Sequence, residues 1–217
     1  MSTTTPPHWN LSNVYPALDS PEFAAALKDL NAQLDELDAF FAEKVAKTNT
    51  SSSTETLSKV TEELIERFNK SNDLAETMGV YIYSFITTDS FNQLAKRMLS
   101  QFEQVEMRLN MLGVQGKQWI GSVAEKLPEI IKTSDIAKAH AFFLQETAEL
   151  SHYLMSEAEE SLAAELGLSG ASAWDKLQGT VTSQMKLTFE LDGEVKELSS
   201  PALINLHSHP DEDVRKR

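Results

Sequence analysis

Apolar residues recur at alternating steps of three and four from Leu27 onward, and this spacing predicts a helix with one apolar face. Ser20 is suited to cap its start, and Pro21 fits the first helical position. The stripe consists of Leu27, Leu30, Leu34, Leu37 and Phe41. The polar segment 47–54, KTNTSSST, then predicts a flexible connection between two antiparallel helices.

Two more long helices follow from the same periodicity. The first is predicted from about Glu55 to Thr87, with Gly79 loosening it midway. The second begins after a capping box formed by Ser90 and Gln93. Its apolar positions have coiled-coil-like spacing and are Leu94, Met98, Phe102, Val105, Leu109 and Leu112. Residues 20–126 are therefore predicted to form an antiparallel bundle of long helices.

A region of shorter helices is predicted for residues 127–184, continuous with the bundle. Three glycines, Gly113, Gly116 and Gly121, interrupt the stretch before it, and Pro128 predicts a break before a helix over about 134–154. Ser156 and Glu159 form a second capping box, whose helix should stop at Gly167. Another helix is predicted over 169–184, around Trp174.

The periodicity then changes to the alternation of a β-hairpin over residues 185–199. Leu187, Phe189 and Leu191 share one face, and Asp192 with Gly193 supplies a two-residue turn. Residues 200–217 hold a helix start at Asp211 that ends before a stripe can form. We expect the natural chain to continue, with this segment leading into a catalytic region.

Residues 1–19 are predicted to be an extended arm. Pro6, Pro7 and Pro16 disfavour a helix there. The apolar residues available to dock the arm are Trp9, Leu11, Val14 and Tyr15. The predicted fold class is therefore mainly α: an antiparallel bundle of long helices, followed by shorter helices and one small β-hairpin.

Composition narrows the function classes. The 217 residues carry a formal net charge of −14, which disfavours nucleic acids and anionic membranes as partners. The chain has no cysteine, which excludes disulfides and cysteine-based zinc sites and suits a reducing cytoplasm. It has no basic segment followed by an apolar run at its start, and no long apolar stretch. We therefore predict a cytoplasmic protein without a membrane span.

Four segments resemble the oligoendopeptidase F group of zinc peptidases. The opening WNLSNVYPALDSPEF, Trp9–Phe23, is similar to the start of that family, and YIYSFITTDSFNQLAKR, Tyr81–Arg97, resembles its aromatic helix and the loop after it. The sharpest likeness is HYLMSEAEESLAAEL followed by GASAWDKL, within Ser151–Leu177. The terminal HPDEDVRKR, His209–Arg217, resembles the segment that leads into the family's next helix.

The resemblance implies a large helical peptidase that hydrolyses oligopeptides. Its catalytic zinc would be held by the two histidines of a His-Glu-x-x-His motif and a later glutamate, and the motif's own glutamate would activate the metal-bound water. No residue of this chain matches that motif, so we assign it no catalytic, cofactor-binding or metal-binding residue. By the resemblance, this region forms a wall or lid of a channel that selects short peptides, and we expect it to be inactive alone.

Histidines give the chain its candidate metal ligands. His207 and His209 could share a metal ion, but without a third ligand close by, apart from the acidic residues 211–213, a polar loop is the better interpretation. His140 and His152 are twelve residues apart on one predicted helix, and we interpret them as partly buried, hydrogen-bonded side chains.

The remaining candidate positions have simple structural explanations. The adjacent acids Glu157, Glu159 and Glu160 suit the dipole of a helix start better than paired acid-base chemistry. The aromatic residues Tyr81, Tyr83 and Phe85 could line a channel, although their spacing is more typical of a core. Gly113 and Gly116 lack the pattern of a phosphate-binding loop.

An alternative function is a stand-alone acidic helical module that binds a peptide or a partner helix in a groove between its long helices. Pliable methionines suit such surfaces, although core packing explains them equally well. They are Met78, Met98, Met107 and Met111. A third, weaker alternative is a metal-dependent enzyme that uses His207 and His209. An uncovered apolar face could also make the isolated chain dimerise.

Overall fold

The computed structural model describes residues 9–191 and 193–216, together with all their side chains except that of Glu157. The predictions for Pro6, Pro7 and Asp192, and that for the Glu157 carboxylate, lie outside what it describes. The long helices are α1 (Pro21–Glu43), α2 (Thr54–Thr88) and α3 (Gln93–Ser122). The shorter ones are α4 (Leu127–Thr133), α5 (Asp135–Ala139), α6 (Ala141–Leu150), α7 (Glu157–Ser169) and α8 (Ala171–Gln184).

A two-stranded antiparallel sheet and two short helices complete the described chain. The strands are β1 (Lys186–Leu191) and β2 (Glu194–Ser199), and the helices are α9 (Ser200–Asn205) and α10 (Glu212–Lys216). Short 3₁₀ turns cover Val45–Lys47, Ala124–Lys126, Ser151–Tyr153 and Leu206–Ser208. The predicted fold, mainly α with long helices, shorter helices and one small hairpin, is confirmed.

Helices α1 and α2 pack antiparallel, as the connection between them predicts. Lys44, just after α1, binds Glu63 at 2.6 Å, whereas Gln33, farther back along α1, accepts a hydrogen bond from Ser71 at 3.3 Å. The predicted Ser20 cap is present, since its Oγ accepts from the backbone N–H of Phe23. Leu30, Leu34, Leu37 and Phe41 of the predicted stripe are buried, and Leu27 packs against them.

Helix α3 departs from the sequence prediction at both ends. Asn92, rather than Ser90, caps it, because the Asn92 side chain accepts from the backbone N–H of Ala95 at 3.0 Å. The helix also continues past Gly113 and Gly116 to Ser122, and α2 likewise runs unbroken through Gly79. A glycine costs a helix only about 1 kcal/mol, which packing against neighbouring helices readily offsets.

The segment after α3 contains more helix breaks than predicted, at other positions. Pro128 does not break a helix but lies in the first turn of α4, where its missing N–H costs nothing. The single helix predicted over 134–154 is divided at His140, whose backbone leaves the helical region between α5 and α6. Helix α7 passes Gly167, where we expected it to stop, and ends at Ser169.

The hairpin has the predicted strands and register. Leu187 pairs with Leu198 and Leu191 with Glu194, which leaves a two-residue turn in which Gly193 has φ 78°.

The start of the chain is anchored less fully than predicted. Tyr15 is buried and Leu11 packs against the core, but Trp9 is 90% exposed.

The core lies almost entirely in α1–α6. Of the described residues in α7, α8, β1 and β2, none is buried, and many large apolar side chains there face solvent. Helix α7 contacts α3, and the Lys176–Glu103 ion pair connects α8 to α3. These contacts place α7 and α8 against the bundle, but the described residues of the two helices form no buried core of their own. The residue boundaries predicted for the domains stay a prediction.

Candidate functional site

A groove with a volume of about 870 Å³ lies between α2, α3 and α8. We call it the α2–α3–α8 groove. Its apolar lining includes Val80 and Tyr83 of α2 together with Leu99, Phe102 and Leu109 of α3. Tyr83 and Val80 are about half exposed or more, so apolar surface is open to a ligand.

Gly79 lets α2 and α3 approach each other at the floor of this groove. A Cβ at this position would stand 3.2 Å from Cε1 of Phe102, closer than most methyl groups approach an aromatic ring. The Phe102 ring can therefore pack close to the α2 backbone, and it is 3% exposed. The glycine that we expected to loosen α2 instead shapes the groove.

Charged residues surround this apolar floor. Glu76, Glu103, Glu106 and Asp175 contribute four carboxylates, and Lys176 contributes one ammonium group. Lys176 forms an ion pair with Glu103 across the groove. Partial burial, together with the nearby Glu103 charge, raises the pKa of Glu106 above its usual value. The groove thus carries excess negative charge that is incompletely solvated.

The groove continues toward the carboxyl end of α2. An adjoining space of about 550 Å³ shares Tyr83, Leu99 and Lys176 with the first. Together the two parts follow α2 from Asn72 to Ser90, just beyond the end of the helix. At 1.5 Å per helical residue this is roughly 27 Å, the length of about eight residues of an extended peptide at roughly 3.3 Å each.

The candidate histidines do not converge on a metal site. Within residues 9–191 and 193–216 no three His, Asp or Glu side chains are arranged to hold a metal ion. Nδ1 of His209 accepts from the backbone N–H of Asp211 at 3.1 Å, and His207 is exposed. A zinc site therefore does not fit the described residues, and we derive no catalytic step through a metal.

His140 and His152, the second candidate pair, also have separate surroundings. His140 is partly buried, with Nδ1 2.9 Å from the Ile136 carbonyl oxygen and Nε2 3.4 Å from Nδ2 of Asn69. This agrees with the predicted hydrogen-bonded histidine. His152 lies on the turn after α6 and is exposed, so the expected partial burial is wrong for that residue.

The acidic residues at the start of α7 act as a helix cap. Oε2 of Glu159 accepts hydrogen bonds from the Ser156 backbone N–H at 2.9 Å and from its hydroxyl at 2.6 Å. These bonds lower the pKa of Glu159. Glu160 accepts from the Met155 backbone N–H at 3.1 Å. Both contacts agree with the predicted role at a helix start.

Aromatic and methionine side chains divide between core and groove. Tyr81 is buried, donates to the Tyr15 carbonyl oxygen at 2.8 Å, and packs edge-on against Phe85, so core packing accounts for both rings. Tyr83 is 51% exposed and lines the groove. Met78 is buried and Met98 packs against the core, which favours packing over an adaptable surface for these two methionines.

Sequence reasoning missed the charged residues of the groove. Glu103 and Glu106 are three positions apart and share a face of α3, a signal the sequence does contain. Lys176 lies 73 residues beyond Glu103, and nothing in the local pattern indicates that the two would meet. Only the packing of α8 beside α3 brings them together.

A groove of this length between packed helices is typical of proteins that bind peptides or partner helices.

Comparisons with known proteins indicate a more specific class of protein. Residues 123–186 match the family model described as Oligopeptidase F. This segment includes all of Ser151–Leu177, the part of the sequence with the sharpest predicted likeness. No curated protein matches the chain significantly in sequence.

The fold agrees with the family match. It is similar to the crystal structure of oligoendopeptidase-F from Enterococcus faecium, with a TM-score of 0.69 and 15% sequence identity. The likeness covers 90% of this chain but 37% of that enzyme. The predicted resemblance to the amino-terminal part of oligoendopeptidase F is thereby confirmed. In the described part of the chain, no helix is both long and apolar enough to cross a membrane.

Proposed function

We propose that this chain is the amino-terminal, non-catalytic part of an oligoendopeptidase F-like zinc metallopeptidase that hydrolyses oligopeptides in the cytoplasm. The match of residues 123–186 to the Oligopeptidase F family carries the proposal. The fold likeness, which covers 37% of the Enterococcus enzyme, leaves room for a catalytic part outside this sequence.

In this proposal the zinc ion is held by residues that do not belong to this 217-residue chain. When bound, zinc would polarise the peptide carbonyl and supply an activated water molecule. The contribution of this chain is steric. Its helices form a wall that admits a narrow, extended chain and excludes a folded domain, so its own residues orient substrate and do not take part in bond cleavage.

The exposed apolar side chains after α6 support the idea of a further part. Leu162 and Leu166 of α7 are 56% and 59% exposed, and Trp174 of α8 is 70% exposed. A stable protein seldom leaves several large apolar side chains of neighbouring helices this exposed to water. We propose that the remainder of a longer chain covers this face, and that the 217-residue chain alone dimerises through it.

The first experiment expresses the natural reading frame beyond Arg217 and tests it against a quenched fluorescent oligopeptide, with and without a chelator. We expect chelator-sensitive cleavage by the longer chain, restored by zinc, and none by the 217-residue chain. A longer frame without His-Glu-x-x-His, or an inert product, would contradict the peptidase proposal.

Steric selection has its own test with the longer enzyme. An unstructured peptide should be cleaved, whereas the same sequence placed within a folded, disulfide-closed domain should resist cleavage until the disulfide is reduced. Equal cleavage of both forms would show that no wall restricts access.

Size measurements on the 217-residue chain and on the longer chain test whether the rest of the protein covers the apolar face of α7 and α8. Only the shorter chain should dimerise.

The groove also favours a second function, a stand-alone acidic module that binds peptides. The supporting observation is the α2–α3–α8 groove itself, which is long enough for an oligopeptide without any further domain. A natural stop codon after Arg217, together with a stable monomer that binds peptides at micromolar concentration, would favour this function over the peptidase.

A further inference from the structure

We propose that the α2–α3–α8 groove binds an extended oligopeptide that carries lysine or arginine, with the cationic side chain lying between Glu76, Glu106 and Asp175. This inference rests on the proposed function, because it takes an oligopeptide as the ligand. It adds the chemical class of the peptide and the part of the surface that reads it.

The shape of the groove suits a peptide main chain. Its floor is apolar and bounded by the backbone of α2 at Gly79, the Phe102 ring and the exposed face of Tyr83. An aromatic and aliphatic surface of this kind contacts the apolar stem of a lysine or arginine side chain while its charged end reaches polar groups at the rim. The floor therefore gives contact area, and the rim gives selectivity.

The groove has four carboxylates but one ammonium group, and a cationic ligand would offset the excess negative charge. Of the four groove carboxylates, only Glu103 has an ion-pair partner within the groove, which is Lys176. In the ranges 9–191 and 193–216, Glu76, Glu106 and Asp175 take part in no ion pair. Three unpaired carboxylates thus surround an apolar floor.

The ion pair between Lys176 and Glu103 shows how a cation sits in this groove. The Lys176 side chain reaches from α8 to a carboxylate on α3 that is 17% exposed. Glu106 follows one helical turn later on the same face of α3, and its partial burial disfavours the charged carboxylate. A second ammonium group, supplied by a peptide, would offset that cost as Lys176 does at Glu103.

The test measures binding of labelled eight-residue peptides to the 217-residue chain by fluorescence anisotropy. Three peptides share one alanine-rich sequence, with lysine, glutamine or glutamate at the third and sixth positions and with blocked termini. We expect the lysine peptide to bind about tenfold more tightly than the glutamine peptide, and the glutamate peptide to bind least. The difference should shrink as salt is raised.

Variants locate the site. Glu76→Gln combined with Glu106→Gln should remove most of the preference for lysine and leave the glutamine peptide unaffected. Glu66→Gln is the matched control, because Glu66 is an exposed acid on α2 outside the groove and its removal changes net charge without changing the site. Lys176→Gln should strengthen binding of the lysine peptide severalfold, since it frees Glu103. Thermal unfolding of each variant verifies folding.

Equal affinity for the lysine and glutamine peptides, or an unchanged preference in the double variant, would overturn the inference. So would binding by the 217-residue chain that disappears in a catalytically silenced longer chain, because the remainder of the chain would then occupy the groove. Failure of these tests is separable from failure of the proposed function, which is judged by chelator-sensitive cleavage of uncharged oligopeptides.

Discussion

Two regions of this molecule form helices equally well but bury very different amounts of apolar surface. In α1–α6 the leucines of the helical stripes are buried, as Leu34 is. In α7 and α8 no leucine is buried, and Leu162, Leu166 and Leu177 are each more than half exposed. Local signals are strong in both regions, since the Ser156 capping box and the Ser20 cap are both present. A regular helix can therefore form where no core supports it.

The difference supports our proposal that a further part of the protein covers the second region, α7 and α8. Its helices carry large apolar side chains on exposed faces. A helix face that contacts solvent usually carries charged or polar side chains instead. The first region buries most of its large apolar side chains internally, with contacts among α1, α2 and α3. Variants that act differently in the two regions can test this difference.

The largest expected effect comes from a matched pair of leucine truncations. Leu34→Ala should lower the free energy of unfolding by about 2.5–5 kcal/mol, because it leaves a cavity in the α1–α2–α3 core. Leu162→Ala in α7 should change the free energy of unfolding of the monomer, measured at a concentration below that of the proposed dimerisation, by less than about 0.5 kcal/mol, because the side chain is 56% exposed. Denaturant unfolding of both variants measures the difference. Equal losses would show that α7 is buried in solution.

A second prediction concerns a close contact within the bundle, between α3 and the turn that follows α6. A Cβ on Gly121 of α3 would stand 2.5 Å from Cβ of Ser151, on the turn that follows α6. Gly121→Ala should therefore lower the free energy of unfolding by about 1–3 kcal/mol.

Its controls come from the same helix and the same contact. Gly113→Ala should raise stability by up to about 1 kcal/mol, because nothing lies within 4 Å of the added methyl group and alanine favours the helix. Ser151→Gly added to Gly121→Ala should restore most of the loss. If the double variant were no more stable than the single one, the close approach would not be the cause.

A third prediction uses the charged contacts of the bundle. Burial alone would raise the pKa of Glu63, but hydrogen bonds from Lys44 and Arg67 outweigh it and hold the pKa below its usual value. A lowered pKa in the folded state stabilises the fold above the unfolded pKa, and this contribution disappears as pH falls through the folded pKa. Glu63→Gln should therefore cost about 1 kcal/mol or less at pH 7, since the contacts are partly exposed.

The check is thermal unfolding between pH 7 and pH 3 for the wild-type chain and two variants. The difference caused by Glu63→Gln should shrink as the solution is acidified. Glu66→Gln, which removes an exposed acid from the same helix, should produce little difference at any pH. A penalty for Glu63→Gln that stays constant with pH would assign it to packing and not to charge.

The smallest effect on global stability is expected from the hairpin. Gly193 has φ 78°, a conformation that costs other residues about 1–2 kcal/mol. Gly193→Ala should loosen β1 and β2, which would appear as faster amide hydrogen exchange in both strands. The unfolding midpoint of the bundle should stay unchanged, because neither strand contains a buried residue. A lowered midpoint would mean that the hairpin supports the core.

Local patterns predicted the long helices, the second capping box and the hairpin, because each depends on residues a few positions apart. Predictions failed where packing overrode a local signal. Pro128 was predicted to interrupt the helical pattern yet lies in the first turn of α4, and Gly116 was predicted to interrupt α3 yet lies within it. A Cβ on Gly116 would stand 3.2 Å from the Phe68 ring, so the glycine serves a helix contact and not a turn.

The candidate site was far less predictable than the fold. The spacing of Tyr81, Tyr83 and Phe85 favours a core position for all three, which is correct for Tyr81 and Phe85 and wrong for Tyr83, because the helical repeat alone does not separate them. The groove carboxylates gave no distinctive signal, since acidic residues occur throughout a chain of net charge −14.

The sequence by itself determined the helices and the hairpin, and its motifs indicated the resemblance to oligoendopeptidase F, because periodicity, caps and turns act over short distances. Tertiary structure alone decided that Glu103 forms an ion pair with Lys176, that the Phe102 ring packs against Gly79, and that Leu162 and Leu166 of α7 stay exposed. These outcomes depend on which helix faces pack together, and that choice is made by the whole core and not by any one segment.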